Sequence, residues 1–215
     1  MINHYHFTLP VHHFVITKFT KYDRIKETYA GGIIVKPSLK EKQLKRKRVY
    51  TCDFLDVYED DVVLPNNKRS QRVVVSHIGA AAAVPITKDG DVILVRQYRY
   101  AAGYDSLEIP AGKKDHPDDG ALETASRELG EETHLKSDTF EHLTSLYTAI
   151  GFSDELIHIY LAKDVVPVDY EVDIDPDEFL NIERIPLKKA IEMAKDGSIK
   201  DAKTVVALLL LESRQ

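Results

Sequence analysis

The sequence predicts an α+β fold, with strands in a mixed or antiparallel arrangement and a few separated helices. Three observations carry this. Short apolar or β-branched runs at 57–64, 72–76, 80–87, 89–99, 142–149 and 156–165 are bounded by turn residues. Helical periodicity is confined to three stretches, beginning near Ala121, Leu187 and Asp201. The two kinds of segment do not alternate as a regular parallel βαβ sheet would require.

The chain of 215 residues suits one large domain, or a main domain with a smaller extension. We expect an N-terminal extension and β region at 1–75 that serves dimerisation, followed by a catalytic domain at 76–215. With 43% hydrophobic and 30% charged residues the chain has a soluble, globular composition. A net charge of −6 gives no general attraction for nucleic acid. One cysteine, Cys52, excludes an intrachain disulfide framework and a cysteine-rich zinc site. The longest apolar run, Val205 to Leu211, is too short to span a bilayer. The opening MINHYHFTLP lacks the basic start and continuous apolar segment of a signal peptide. A cytoplasmic protein with neither a membrane nor a nucleic-acid partner is therefore expected.

In order along the chain, 13–19 and 31–35 are expected to be short strands. The run KPSLKEKQLKRKR (36–48) is expected to be a solvated linker or helix face, or to lie near an anionic substrate channel. The strands at 57–64 and 72–76 flank PNNKRS, whose Pro-Asn-Asn start favours a reversal. AAAAVPIT has no charged interruption, so this strand is expected to be covered on both faces. The next strand follows an Asp89-Gly90 turn, with Val92 to Val95 in the core. A loop at 101–105 precedes LEIPAGK. Strands at 142–149 and 156–165 are separated by the loop IGFSDE. An acidic loop and short strand fill 168–186. The last two helices follow, one ending near Asp196-Gly197 and one capped by Asp201.

The stretch from Leu107 to Leu135 organises the functional reading. Its first half is a Pro/Gly-punctuated loop; its second half is a helix. Ala121, Leu122, Ala125 and Leu129 recur at helical spacing and face a core. On the polar side, Glu128 and Glu132 stack one turn apart with Glu131 beside them. Like charges at that spacing repel unless a cation binds them, and oxygen ligands suit Mg²⁺ or Mn²⁺. Spacing alone leaves a metal platform and a solvated acidic face both open.

Residues Gly112 to Leu135 resemble the Nudix hydrolase box. The family pattern is a glycine, five residues, Glu, seven residues, then Arg-Glu-apolar-x-Glu-Glu-x-Gly-apolar. Its second half is matched by Arg127-Glu128-Leu129-Gly130-Glu131-Glu132-Thr133-His134-Leu135, with His134 where the family has glycine. Asp119 stands for the usual first Glu, one residue further from Gly112 than in the family pattern. The runs VILVRQYRYAAGYDSLEIPAGK, GFSDELIHIYLA and GSIKDAKTVVALLLL extend the likeness to the ADP-ribose pyrophosphatase subgroup over about residues 49–211. Prolines common in that subgroup's loop are replaced by Thr148 and Ile150.

The resemblance implies a Nudix α/β/α sandwich with a mixed central sheet and an N-terminal β region, forming a homodimer. It implies Mg²⁺-dependent hydrolysis of the diphosphate of ADP-ribose, or of another nucleoside diphosphate sugar, with Mn²⁺ as a substitute metal. A non-catalytic nucleotide-sugar sensor is the alternative of a different kind. The implied metal ligands are Glu128, Glu131, Glu132 and the carbonyl of Ala111. Arg127 is implied to pair with a box carboxylate, and Arg99 to contact the diphosphate, with Arg96 a further candidate. Glu108 is implied to set the loop or reach the metal or substrate. The acidic segment IDPDEFLNIE makes Glu178 the implied general base, with Asp177 and Glu183 in reserve. Tyr50, Phe54 and Phe152 are candidates to contact the nucleobase or line the site.

Overall fold

The computed structural model describes residues 28–30, 33–35, 38–169 and 179–214. The expected strand at 13–19 lies outside them. A short hairpin joins β1 (Thr28–Ala30) to β2 (Ile33–Val35). An antiparallel three-stranded sheet follows, built from β3 (Lys42–Thr51), β4 (Leu55–Val63) and β5 (Arg69–His77).

The basic run expected to be a linker or helix face is therefore largely a strand. Its charges are answered across the sheet rather than along the chain. Arg46 pairs with Asp60 at 2.7 Å and Arg48 with Asp56 at 3.5 Å, which are the opposite-sign cross-strand contacts that stabilise pairing. The PNNKRS segment reverses the chain as expected, with Asn67 in the left-handed region at φ 62°.

The central sheet holds β6 (Ala80–Ile86), β7 (Asp91–Arg99), β8 (Tyr104–Glu108), β9 (Ala111–Lys113), β11 (Thr139–Tyr147), β12 (Leu156–Lys163) and β14 (Asn181–Pro186). Its main path runs β11-β12-β6-β7-β14; β8 pairs with β7, and β9 with β6. The β12–β6 pair is parallel and the others antiparallel, so the sheet is mixed. A small pair, β10 (Leu135–Lys136) with β13 (Val166–Pro167), lies apart.

Helices cover both faces, which is why β6 contains only alanine, valine, proline and isoleucine. Ala80, Ala82 and Val84 pack with α2 (Leu187–Lys195) and α3 (Ala202–Glu212), through Ala190, Ile191, Ala207 and Leu208. Ala83 faces the other way, with Leu129 of α1 (Ala121–Thr133). Alternation across a strand sorts its residues between two cores. This is the α/β/α sandwich of the Nudix fold.

The three-stranded sheet meets the central sheet at the loop before β12. Val75 bridges Ser153, and Asp154 accepts hydrogen bonds from the His77 N–H at 2.8 Å and the Ser76 hydroxyl at 2.9 Å.

Candidate active site

A cleft of about 720 Å³ opens where β6 and β12 begin. It is bounded by the end of β5, by β9, by the polar side of α1 and by the start of α3. Six carboxylates line it (Glu108, Asp115, Glu128, Glu131, Glu155 and Asp201) against four cations (Arg99, Lys113, Arg127 and Lys203). An anionic ligand entering so acidic a cleft needs added positive charge.

The acidic wall is organised by Arg127. Its guanidinium lies 2.7 Å from Glu128, 2.5 Å from Glu131 and 3.6 Å from Asp115, and donates to the Lys113 carbonyl at 3.1 Å. Burial opposes the charged guanidinium, but Glu128, Glu131 and Asp115 outweigh it and raise its pKa. Asp119, the counterpart of the family's first Glu, instead closes a turn by accepting from the His116 N–H at 2.7 Å. Asp115, four residues earlier, holds the arginine.

Strand β9 faces this helix because of its register. The Ala83 N–H donates to the Pro110 carbonyl at 3.0 Å, and the Lys114 N–H donates to the Gly79 carbonyl at 3.1 Å. With Ala82 opposite Ala111, the alternation of an antiparallel ladder turns the Ala111 N–H and C=O away from β6. The Ala111 N–H donates to Glu132 Oε2 at 3.2 Å, so the same backbone edge faces α1. Gly112 leaves room for the Glu128 carboxylate: a Cβ there would fall 2.0 Å from Glu128 Oε1, so the carboxylate would have to move.

Among the described residues, no group of three or more His, Cys, Asp or Glu side chains converges closely enough to hold a metal ion. Glu128, Glu131 and Asp115 all reach toward the one Arg127 guanidinium. The donor chemistry nevertheless fits a hard divalent cation. Glu128 and Glu132 are only 6% and 3% exposed, all the donors are oxygens, and the glycine cradle brings the loop backbone against a carboxylate.

A second wall carries Arg99 and Lys203, both ion-paired. Arg99 grips Glu108 through two hydrogen bonds of 2.8 and 2.7 Å. Lys203 reaches the same carboxylate and lies 3.1 Å from Asp201. Burial alone would push the Glu108 carboxyl up, but Arg99 and Lys203 hold it down at about 2. The pair with Arg99 uses Nε and Nη2, leaving Nη1 outside it.

Of the aromatic candidates, Phe54 lines the cleft, with the Lys113 ammonium 5.3 Å from its ring centre. Tyr50 and Phe152 are exposed and are not among its lining residues, and Phe152 binds β5 through its backbone carbonyl. Arg96 is also outside the lining, engaged by Glu183 at 2.5 Å. Glu178 and Asp177 lie outside the described residues.

Sequence reasoning missed His77, Asp115, Lys203 and Thr204. His77 lines the cleft edge-on to Phe54, with ring centres 6.1 Å apart, and its Nδ1 accepts from the Gly79 N–H. Lys203 and Thr204 sit at the head of an otherwise apolar helix, where only the Asp201 cap gave a signal. Thr148, in place of a proline, donates its hydroxyl to Glu155.

The chain is 34% identical to an ADP-ribose pyrophosphatase of Bacillus subtilis, over 83% of this chain and 96% of that protein. It is 37% identical to a methanol dehydrogenase activator of Bacillus methanolicus, over 81% and 94%. A crystal structure of an ADP compounds hydrolase superposes with a TM-score of 0.70 at 27% identity, covering 82% of this chain and 95% of that one. The NUDIX domain model matches residues 76–208, spanning the central sheet, the glutamate helix and the cleft they form, and the chain belongs to the Nudix hydrolase family, as an enzyme that cleaves diphosphates.

Proposed function

We propose that the protein hydrolyses the diphosphate of ADP-ribose to AMP and ribose 5-phosphate, with Mg²⁺ bound at the acidic wall and Mn²⁺ able to replace it. The observation that carries this reading is the acidic helix beside a backbone edge, with an arginine held across the same cleft. Its likeness to the Bacillus subtilis ADP-ribose pyrophosphatase favours the substrate. Hydrolysis of another nucleoside diphosphate sugar is the second reading, favoured by Thr148 and Ile150 in the loop where the subgroup commonly has prolines.

Glu128, Glu131, Glu132 and the Ala111 carbonyl would hold the metal. Bound there, Mg²⁺ neutralises phosphate charge and lowers the pKa of coordinated water. Arg127 aligns Glu128 and Glu131 by pairing with both. Arg99, fixed on Glu108, presents the free edge of its guanidinium to a phosphate oxygen. Phe54 offers a face to a base or sugar. Glu178 takes the proton from the attacking water. Two copies associate through the N-terminal sheet, and the protein works in the cytoplasm.

Incubation with Mg²⁺ and a panel of ADP-ribose, GDP-mannose, UDP-glucose, NADH and diadenosine polyphosphates, with product identification, tests the substrate. AMP and ribose 5-phosphate from ADP-ribose are expected; tight binding with no turnover of any member would establish a sensor instead. Glu132→Gln is expected to cut turnover by at least roughly 10²-fold. A mild loss would remove Glu132 from the metal site.

A further inference from the structure

The start of α3 reaches the cleft by two arms that leave a single carboxylate. Asp201 Oδ2 accepts from the Thr204 N–H at 3.0 Å and from its hydroxyl at 2.6 Å, while Oδ1 lies 3.1 Å from the Lys203 ammonium. Lys203 continues to Glu108. Thr204, which is 0% exposed, accepts the Ile109 N–H at 2.8 Å. The arms therefore end on adjacent residues, 108 and 109, of the segment that leads into β9.

The hydroxyl is orientationally committed. A threonine has one O–H to donate, and an ionised carboxylate can only accept. The proton points at Asp201, which turns a lone pair toward Ile109. The next two residues are held from elsewhere, since the Pro110 carbonyl accepts from Ala83 and the Ala111 N–H donates to Glu132. Three successive residues are thus tied to α3, β6 and α1. A shift at Ile109 has no slack before Ala111 in which to dissipate.

We propose that Thr204 is a positioning residue for the metal-binding backbone at Ala111, and that Lys203 separately positions the Arg99–Glu108 pair for substrate. The inference rests on the metal-dependent reading above. It assigns a role to a helix that contributes no carboxylate of the glutamate motif. Removing the Thr204 acceptor strands the buried Ile109 N–H and loosens the backbone ligand. Removing the Lys203 ammonium leaves that backbone anchored but changes how Glu108 holds Arg99.

The test is Mn²⁺ binding to the whole protein, followed by electron paramagnetic resonance without substrate, alongside steady-state kinetics. Thr204→Val is expected to weaken Mn²⁺ binding by roughly 10-fold or more, as loss of supporting contacts around a metal typically does. Thr204→Ser, which keeps the hydroxyl, restores it. Lys203→Met is expected to raise KM while leaving Mn²⁺ affinity within about 2-fold, a split that general destabilisation would not produce. Mn²⁺ affinity unchanged in Thr204→Val, or weakened equally in Thr204→Ser, overturns the proposal. Should the valine variant not fold, Mg²⁺ titration of the wild type decides: the Ile109 and Thr204 amide resonances shift with metal, and their failure to move refutes the coupling. A wild type that binds no Mn²⁺ removes the metal-dependent reading itself and the coupling with it.

Discussion

His134 ends α1 in the left-handed conformation, at φ 57° and ψ 29°, with its N–H donating to Gly130. An L-residue with a Cβ crowds its own carbonyl there, which is the reason glycine is favoured at this position. His134→Gly should therefore stabilise the protein by about 1 kcal/mol, offset in part by the added freedom of the unfolded chain. Thermal unfolding is expected to rise by about 2–4 °C, the usual scale for a domain of this size. An unchanged or lower midpoint would mean that the histidine side chain compensates for the strain. Gly112 presents the opposite case: its φ is ordinary, and the space needed by Glu128 is the constraint. The glutamates were legible because helical spacing puts them on one side, and Arg127 because the resemblance to the family motif marks it. Asp115 was not, because its contact with Arg127 depends on how the intervening loop turns, and Asp119 looked closer to the family count.

At the scale of elements, uninterrupted apolar runs were readable, as β6 and the core of β7 show. Strand β3 was not. A run of like charge looks solvated when read alone, and the carboxylates that complement it lie on β4, joined through a hairpin. Asp60 is buried and accepts from both Arg46 and Gln43. Strand β3 is nevertheless an outer strand of the sheet among the described residues, and Leu44, Val49 and Tyr50 on it are exposed. An uncovered edge bearing apolar groups invites pairing with another chain. Light scattering is accordingly expected to report twice the chain mass, and Val49→Asp to shift the population toward one copy. A wild type that sizes as a single copy at micromolar concentration would rule out the proposed dimer.

Across the whole molecule, the two walls of the cleft come from segments far apart in the chain. The Lys203–Glu108 contact joins α3 to the end of β8, and no local periodicity announces it. This long-range pairing also gives the fold an acid-sensitive support. Glu108 titrates at about 2 when folded, against an ordinary value of 4.5, because Arg99 and Lys203 together overcome its burial. A carboxyl whose pKa falls on folding adds stability that is complete above pH 4.5 and is lost as the pH drops toward 2. The shift corresponds to about 3 kcal/mol at most, with solvent screening of the partly exposed Arg99 reducing it. Against a typical net stability of about 5–15 kcal/mol, a loss of that size is readily measured. Urea unfolding at pH 5 and pH 2.5 should therefore show a larger acid loss for wild type than for Glu108→Gln, whose amide does not titrate. Equal losses would place the acid sensitivity in other carboxylates and leave the Glu108 cluster as a device for shaping the cleft alone.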